Sequence, residues 1–231
     1  MIPEEKIIVA LDMQKPESYA KILDTLQGSK IWVKIGMELF YSIGPDAVLG
    51  AKDRGFKIFL DLKLHDIPTT VENALTSLMK LPVDMVNIHA AGGSEMMRRA
   101  SAVVRNSAYK PLLIAVTQLT STTQPQMNEE QRVSGTVLES VLHFSKLAMT
   151  AGCDGVVCSP HEVKSIKAFC RPDFITVTPG IRPIGTDMND QKRVTTPMDA
   201  LRMGTDFMVI GRPITQSPSP LIALANITKE E

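Results

Sequence analysis

Lys57-Ile58-Phe59-Leu60-Asp61-Leu62-Lys63-Leu64-His65-Asp66-Ile67-Pro68-Thr69-Thr70 joins a greasy β-type run to three charges of alternating sign, Asp61, Lys63 and Asp66. Side chains two apart on a strand point to the same face. Asp61 and Lys63 therefore share one, and Asp66 follows where the strand should end. A lysine between two carboxylates stays protonated, because nearby negative charge favours its charged form. Such a lysine is a poor base and a poor nucleophile but a well-placed acid. Alone, one Asp-x-Lys reads as a solvated ion pair at a strand terminus; the rest of the chain reverses that reading.

Outward from this stretch, short apolar strands alternate with helical spacing from end to end. Strands are predicted at 7–11, 31–35, 57–62, 85–89, 112–117, 155–158, 174–178 and 207–210. Helices are predicted at 18–26, 45–54, 70–80, 94–106, 134–151, 160–169, 197–203 and 220–227. The strands are rich in Ile and Val with little alternation, as expected when both faces of a parallel sheet are buried. Eight β-α units in 231 residues fit a single α/β domain, a (β/α)8 barrel spanning 1–231. A doubly wound open sheet shares the alternation. The count of eight, and the lack of a Gly-x-Gly-x-x-Gly after the first strand, favour the barrel.

Composition narrows the function. Hydrophobic residues make up 44% and charged residues 22%, as in ordinary globular proteins. The formal net charge is zero, which gives no footprint for nucleic acid or an anionic membrane. No run approaches the roughly 18 apolar residues of a membrane span. Met1 to Lys6 is acidic and polar, unlike a signal peptide. Cys153, Cys158 and Cys170 lack metal-ligand spacing and read as reduced thiols of a cytoplasmic protein. No His/Asp/Glu cluster has metal spacing either.

In a barrel the chemistry sits at the carboxyl ends of the strands. There the chain places Asp12, Lys34 inside an apolar run, Asp61, Lys63 and Asp66, then Asn87 and His89. The fifth exit gives Gln118-Leu119-Thr120-Ser121, the seventh Thr178-Pro179-Gly180-Ile181-Arg182-Pro183, the eighth Ile210-Gly211-Arg212-Pro213. Asp12, Lys34, Asp61 and Lys63 stand on three neighbouring strands as an alternating charge set, and buried charges need such pairing. His89 reads as a hydrogen-bonded structural residue ahead of a catalytic one, and His65 as pointing away from the Asp61/Lys63 face. Barrels often bind phosphate at the exits of strands seven and eight; Gly211 lets the backbone approach and Arg212 supplies a fork of donors. The connection 180–196 is long, polar and unpatterned, as functional lids often are.

These motifs, in this order along nearly the whole chain, resemble the orotidine 5′-phosphate decarboxylase family of pyrimidine synthesis. Val9-Ala10-Leu11-Asp12, Val33-Lys34-Ile35-Gly36, the Asp61–Thr70 block, Leu119-Thr120-Ser121 and Val209-Ile210-Gly211-Arg212-Pro213-Ile214 carry the likeness. The resemblance implies a (β/α)8 barrel, free of cofactor and metal, that works as a homodimer with shared active sites. It implies that Lys63 protonates C6 of the pyrimidine as carbon dioxide leaves, with Asp61 beside the departing carboxylate. Asp66, Ile67 and Thr70 are implied to reach the partner subunit's site. Lys34 and Asp12 are implied to contact the ribose hydroxyls, and Thr120 to read the pyrimidine edge. Gln191 and Arg212, with the Gly211 amide, are implied to grip the phosphate under the 180–196 lid, with Arg182 assisting. Related sugar-phosphate barrels share the Asp-x-Lys-x-x-Asp strand but use magnesium and an acidic residue where this chain has Lys34. A Schiff-base aldolase would need Lys63 neutral, against the two carboxylates.

Overall fold

The computed structural model describes residues 1–183 and 195–230. Eight parallel strands close on themselves in chain order. They are β1 (Ile7–Ala10), β2 (Trp32–Gly36), β3 (Lys57–Leu64), β4 (Met85–His89), β5 (Leu112–Val116), β6 (Gly155–Val157), β7 (Ile175–Thr178) and β8 (Phe207–Ile210). β8 pairs back onto β1, with Ile8 opposite Val209, so the open-sheet alternative is excluded. The helices α1 (Pro16–Leu26), α2 (Met37–Ile43), α3 (Asp46–Asp53), α4 (Pro68–Leu78) and α5 (Gly93–Asn106) follow the first four strands. Then come α6 (Val137–Ala151), α7 (Val163–Phe169), α8 (Pro197–Arg202), α9 (Arg212–Thr215) and α10 (Pro220–Lys229).

Local sequence sets the helix ends. α1, α4, α8 and α10 carry proline in the first turn, where its missing N–H leaves nothing unsatisfied. α6 opens with a capping box between Thr136 and Glu139 and closes at Gly152, whose φ of 89° is left-handed.

The outward strand residues, such as Val33, Leu60 and Ile88, are buried against the helices. The inward residues, such as Ile8, Trp32, Phe59 and Met85, fill the barrel itself. Burial on both faces is why the strands read as unbroken apolar runs. At the amino ends, Trp32 meets Phe207 edge to face with centroids 5.1 Å apart, and the Lys57 ammonium lies over the indole. Inward positions therefore form stacked layers, as in other barrels, and apolar side chains fill the lower ones.

Three aspartates tie the same end. Asp84, Asp154 and Asp206 each directly precede an even-numbered strand. Each accepts a backbone N–H from the strand before: Ile58 at 2.9 Å, Leu113 at 2.8 Å and Thr176 at 2.8 Å. Lys52 and Lys167 complete two of these sites.

Two sequence expectations change. β3 continues through Leu64, two residues beyond its predicted end, because it bulges against β4 instead of stopping. The sequence spacing marks neither α2 nor α9; in α2 only Leu39 is fully buried, while Met37 and Tyr41 are exposed, so it carries no helical stripe.

Candidate active site

Reading β2, β3 and β4 upward, the inward residues change from apolar to polar at one height. Trp32 gives way to Lys34, Phe59 to Asp61 and Met85 to Asn87. These three polar side chains are buried among the carboxyl ends of the strands. Lys34 Nζ lies 3.1 Å from Asp12 Oδ1 and 3.2 Å from Asp61 Oδ2. Lys63 Nζ lies 2.7 Å from Asp61 Oδ1. The expected row Asp12–Lys34–Asp61–Lys63 is thus continuous. Gly36 leaves it room: a methyl group there would lie 2.9 Å from Lys34 Nζ.

The row fixes its own charge. Burial by itself would push Lys34 down, but Asp61 and Asp12 outweigh it and hold the ammonium above the ordinary lysine range. Burial by itself would push Asp61 up, yet Lys34, Lys63 and the hydrogen bonds from Lys63 and Asn87 bring it below the usual carboxylate range. Both groups are charged at neutral pH.

Asp61 and Lys63 do not share a face by simple alternation. Leu60 pairs with Val86 and Leu64 with Ile88, so three residues of β3 face Asn87 alone. Lys63 adopts φ 51°, a left-handed conformation that costs a non-glycine residue about 1 kcal/mol or more. That turn brings the ammonium back beside Asp61.

A cavity of about 260 Å³ opens beneath the row. Lys34, Asp61 and Lys63 line one side, Thr120, Ser121 and Pro179 another, over an apolar base that includes Phe59 and Val209. Gly211 stands at the same mouth: a methyl group there would lie 3.4 Å from Ala10 Cβ and 3.9 Å from Asp12 Oδ2. Arg212 opens α9 directly after it. Arg182 is buried, donating through its backbone N–H to Thr195 O at 3.0 Å and through Nη1 to Ile181 O at 3.0 Å; it does not line the cavity.

Asp66, Ile67 and Thr70 are exposed on the rim. Asp66 Oδ1 accepts the Ile67 N–H at 2.7 Å, and its carboxylate makes no ion pair among the described residues. The expectation that two carboxylates of one chain flank Lys63 is therefore corrected: within the subunit the flanking carboxylate is Asp61. Ile67, 67% exposed, presents an unusually bare aliphatic surface beside it. Gln191, and residues 184–194 of the expected lid, lie outside the described residues.

His89 differs from expectation. Its ring stacks on His65 at 5.3 Å, and its Nδ1 is buried without a hydrogen-bond partner among the described residues. Burial, then His65 and Lys63, push its pKa down, which keeps it neutral. The cysteines are free, and burial pushes the Cys153 thiol up to about 12 and Cys158 well above its ordinary value. Burial of this kind disfavours the thiolate at Cys153 and Cys158, the form that acts as a nucleophile. Asn87, passed over in the sequence beyond its place at a strand exit, touches both Asp61 and Lys63. A polar residue at an inward position of an apolar strand was its signal.

A closed barrel with a charged cavity at the carboxyl ends of its strands defines an enzyme of the (β/α)8 class. Residues 5–227 match the model of the "Orotidine 5'-phosphate decarboxylase / HUMPS family". The chain is 50% identical to an orotidine 5′-phosphate decarboxylase of Streptococcus suis, over 98% of this chain and 97% of that one. It is 49% identical to one of Streptococcus uberis, over 95% of each. A crystal structure of orotidine 5′-phosphate decarboxylase from Lactobacillus acidophilus superposes with a TM-score of 0.84 at 40% identity, covering 96% of this chain and 97% of that one. A Geobacillus kaustophilus protein of uncharacterised function matches with the same TM-score at 39% identity, covering 96% of this chain and 97% of that one. The chain belongs to the orotidine 5′-phosphate decarboxylase / HUMPS family.

Proposed function

We propose that this chain decarboxylates orotidine 5′-phosphate to uridine 5′-phosphate, closing de novo pyrimidine synthesis, without metal or cofactor. The observation that carries the reading is the paired row Asp12–Lys34–Asp61–Lys63 above a side-chain-lined cavity. Breaking the C6–carboxylate bond releases carbon dioxide and leaves an electron pair on C6 that the ring π-system does not delocalise. The protein must then supply fixed positive charge and a proton. Lys63 supplies both: its ammonium faces the site, transfers a proton to C6, and is reprotonated from solvent. Asp61 stands beside the substrate carboxylate, where like charge opposes the ground state and not the product.

Lys34 and Asp12 take the ribose hydroxyls, and Thr120 with Ser121 the pyrimidine edge. The Gly211 amide and the Arg212 guanidinium take the phosphate, with Arg182 behind them. Remote phosphate binding then contributes to alignment at C6. Asp66, Ile67 and Thr70 complete the site of a second subunit in a homodimer, which accounts for their exposure in one chain. The buried thiols suit a reducing cytoplasm.

The family also holds the magnesium-using sugar-phosphate barrels. Here an ammonium, Lys34, stands between Asp12 and Asp61, where a divalent ion would otherwise balance the carboxylates. One assay tests the reading: loss of orotidine 5′-phosphate absorbance with protein exhaustively treated with EDTA. Full activity is expected. A requirement for magnesium, or no turnover, overturns it.

A further inference from the structure

Asn87 stands where the β3–β4 ladder breaks, opposite Asp61, Leu62 and Lys63 together. A bulge of this kind leaves backbone groups without their ladder partners. The Lys63 N–H donates instead to Asn87 Oδ1 at 2.8 Å. The other half of the same amide, Nδ2, donates to Asp61 Oδ1 at 2.6 Å. Asp61 Oδ1 also accepts from Lys63 Nζ at 2.7 Å. Backbone of Lys63, amide of Asn87, carboxylate of Asp61 and ammonium of Lys63 therefore close a ring. A backbone N–H only donates and a carboxylate only accepts, so the group between them must offer an acceptor and a donor on one plane. Asparagine does this. Ionised aspartate lacks the donor, and leucine, of similar shape, lacks both.

We infer that Asn87 is a positioning residue for the proposed decarboxylation, holding the left-handed backbone of Lys63 and the Asp61 carboxylate in one frame. The ammonium then meets C6 from a fixed direction, and Asp61 is prevented from rotating away from the substrate carboxylate. The kinetic part of this inference rests on the activity proposed above; the structural part rests on the hydrogen-bonded ring. A residue acting this way affects the step that moves the proton more than it affects affinity for the product.

The test compares the native chain with Asn87→Leu and Asn87→Asp in three measurements. These are hydrogen exchange at the Lys63 amide by NMR, affinity for uridine 5′-phosphate, and kcat on orotidine 5′-phosphate. The Lys63 amide should be protected in the native chain and exchange at least about tenfold faster in Asn87→Leu. In both variants kcat should fall about 10²-fold while the product Kd moves less than about threefold. Asn87→Asp keeps the acceptor for Lys63 N–H and, when ionised, replaces the donor to Asp61 with a like charge, so it serves where Asn87→Leu fails to fold. An unprotected native Lys63 amide, an unchanged kcat, or parallel losses of kcat and product affinity would overturn the inference. A native chain that leaves the substrate intact overturns the activity instead, and the exchange data, which need no turnover, tell the two apart.

Discussion

Replacing Lys34 with methionine removes the cation at the centre of the buried row. The two arms it holds are unequal. The Asp12 side chain is 57% exposed, and that arm contributes at most about 1 kcal/mol. The Asp61 side chain is 9% exposed, and leaving one member of a buried pair unpartnered costs about 3–5 kcal/mol. Lys63 and Asn87 still hold Asp61, which places the expected loss near the lower end, about 3 kcal/mol. In a chain of this size about 1 kcal/mol moves Tm by roughly 2–4 °C, so Lys34→Met should lower it by roughly 6–12 °C and Asp12→Ala by no more than about 4 °C. The sign with pH follows from the two groups. Asp61 is depressed, so its contribution is complete above the unfolded carboxylate pKa and is lost as pH falls through the folded value. Lys34 is raised, so its contribution is complete below the unfolded lysine pKa and is lost only as pH rises through the folded value. Without Lys34, burial moves Asp61 upward and it takes a proton earlier. The gap between native and Lys34→Met should narrow as pH falls from about 7 to about 4. Urea unfolding of Lys34→Met, Asp61→Asn and the double variant, at both pH values, measures this directly. The double variant should be more stable than the sum of the single losses implies. Equal losses from Lys34→Met and Asp12→Ala, or a gap that widens on acidification, would refute the pairing argument.

Lys63→Ala should lower kcat by at least about 10⁴-fold while leaving uridine 5′-phosphate binding largely intact; a borohydride-trapped adduct at Lys63 would instead reveal covalent chemistry. Mixing inactive Lys63→Ala with inactive Asp66→Ala subunits should recover activity as heterodimers form, and no recovery with heterodimers confirmed by mass counts against a shared site. Arg212→Ala should reduce kcat/KM on the phosphorylated substrate by about 10–100-fold but barely touch the nucleoside orotidine; equal losses on both would remove Arg212 from phosphate binding. Gly155→Ala should destabilise the barrel without altering the site. Its Cβ would collide with Ile175 O across the β6–β7 seam, and circular dichroism that melts like the native chain would contradict this.

The eight strands were legible because burial on both faces makes them near-continuous apolar runs, and their order followed from the β-α rhythm. The charged row was legible too, since Asp12, Lys34, Asp61 and Lys63 each interrupt or end such a run. Its geometry was not. The face-sharing of Asp61 and Lys63 looked like simple alternation, but depends on a bulge held by Asn87 from a strand more than twenty residues away. No local propensity encodes that. Helix α2 escaped because its exposed Met37 and Tyr41 erase the period that marks an amphipathic helix. The aspartates before β4, β6 and β8 form a repeat of single residues rather than of segments. Only the pairing of neighbouring strands reveals their common task.

Trp32 and Phe207 pack together across the amino end of the barrel, and among the described residues the charged cavity lies at the carboxyl end, like the hollow of a cup. Under the proposed activity, substrate must enter and both products must leave by the same doorway. Carbon dioxide is small enough to escape past a bound nucleotide; the nucleotide product is not, and it vacates the cup before another substrate can occupy it. Traffic is therefore one at a time, and a cell rich in product slows the supply of more by simple occupancy.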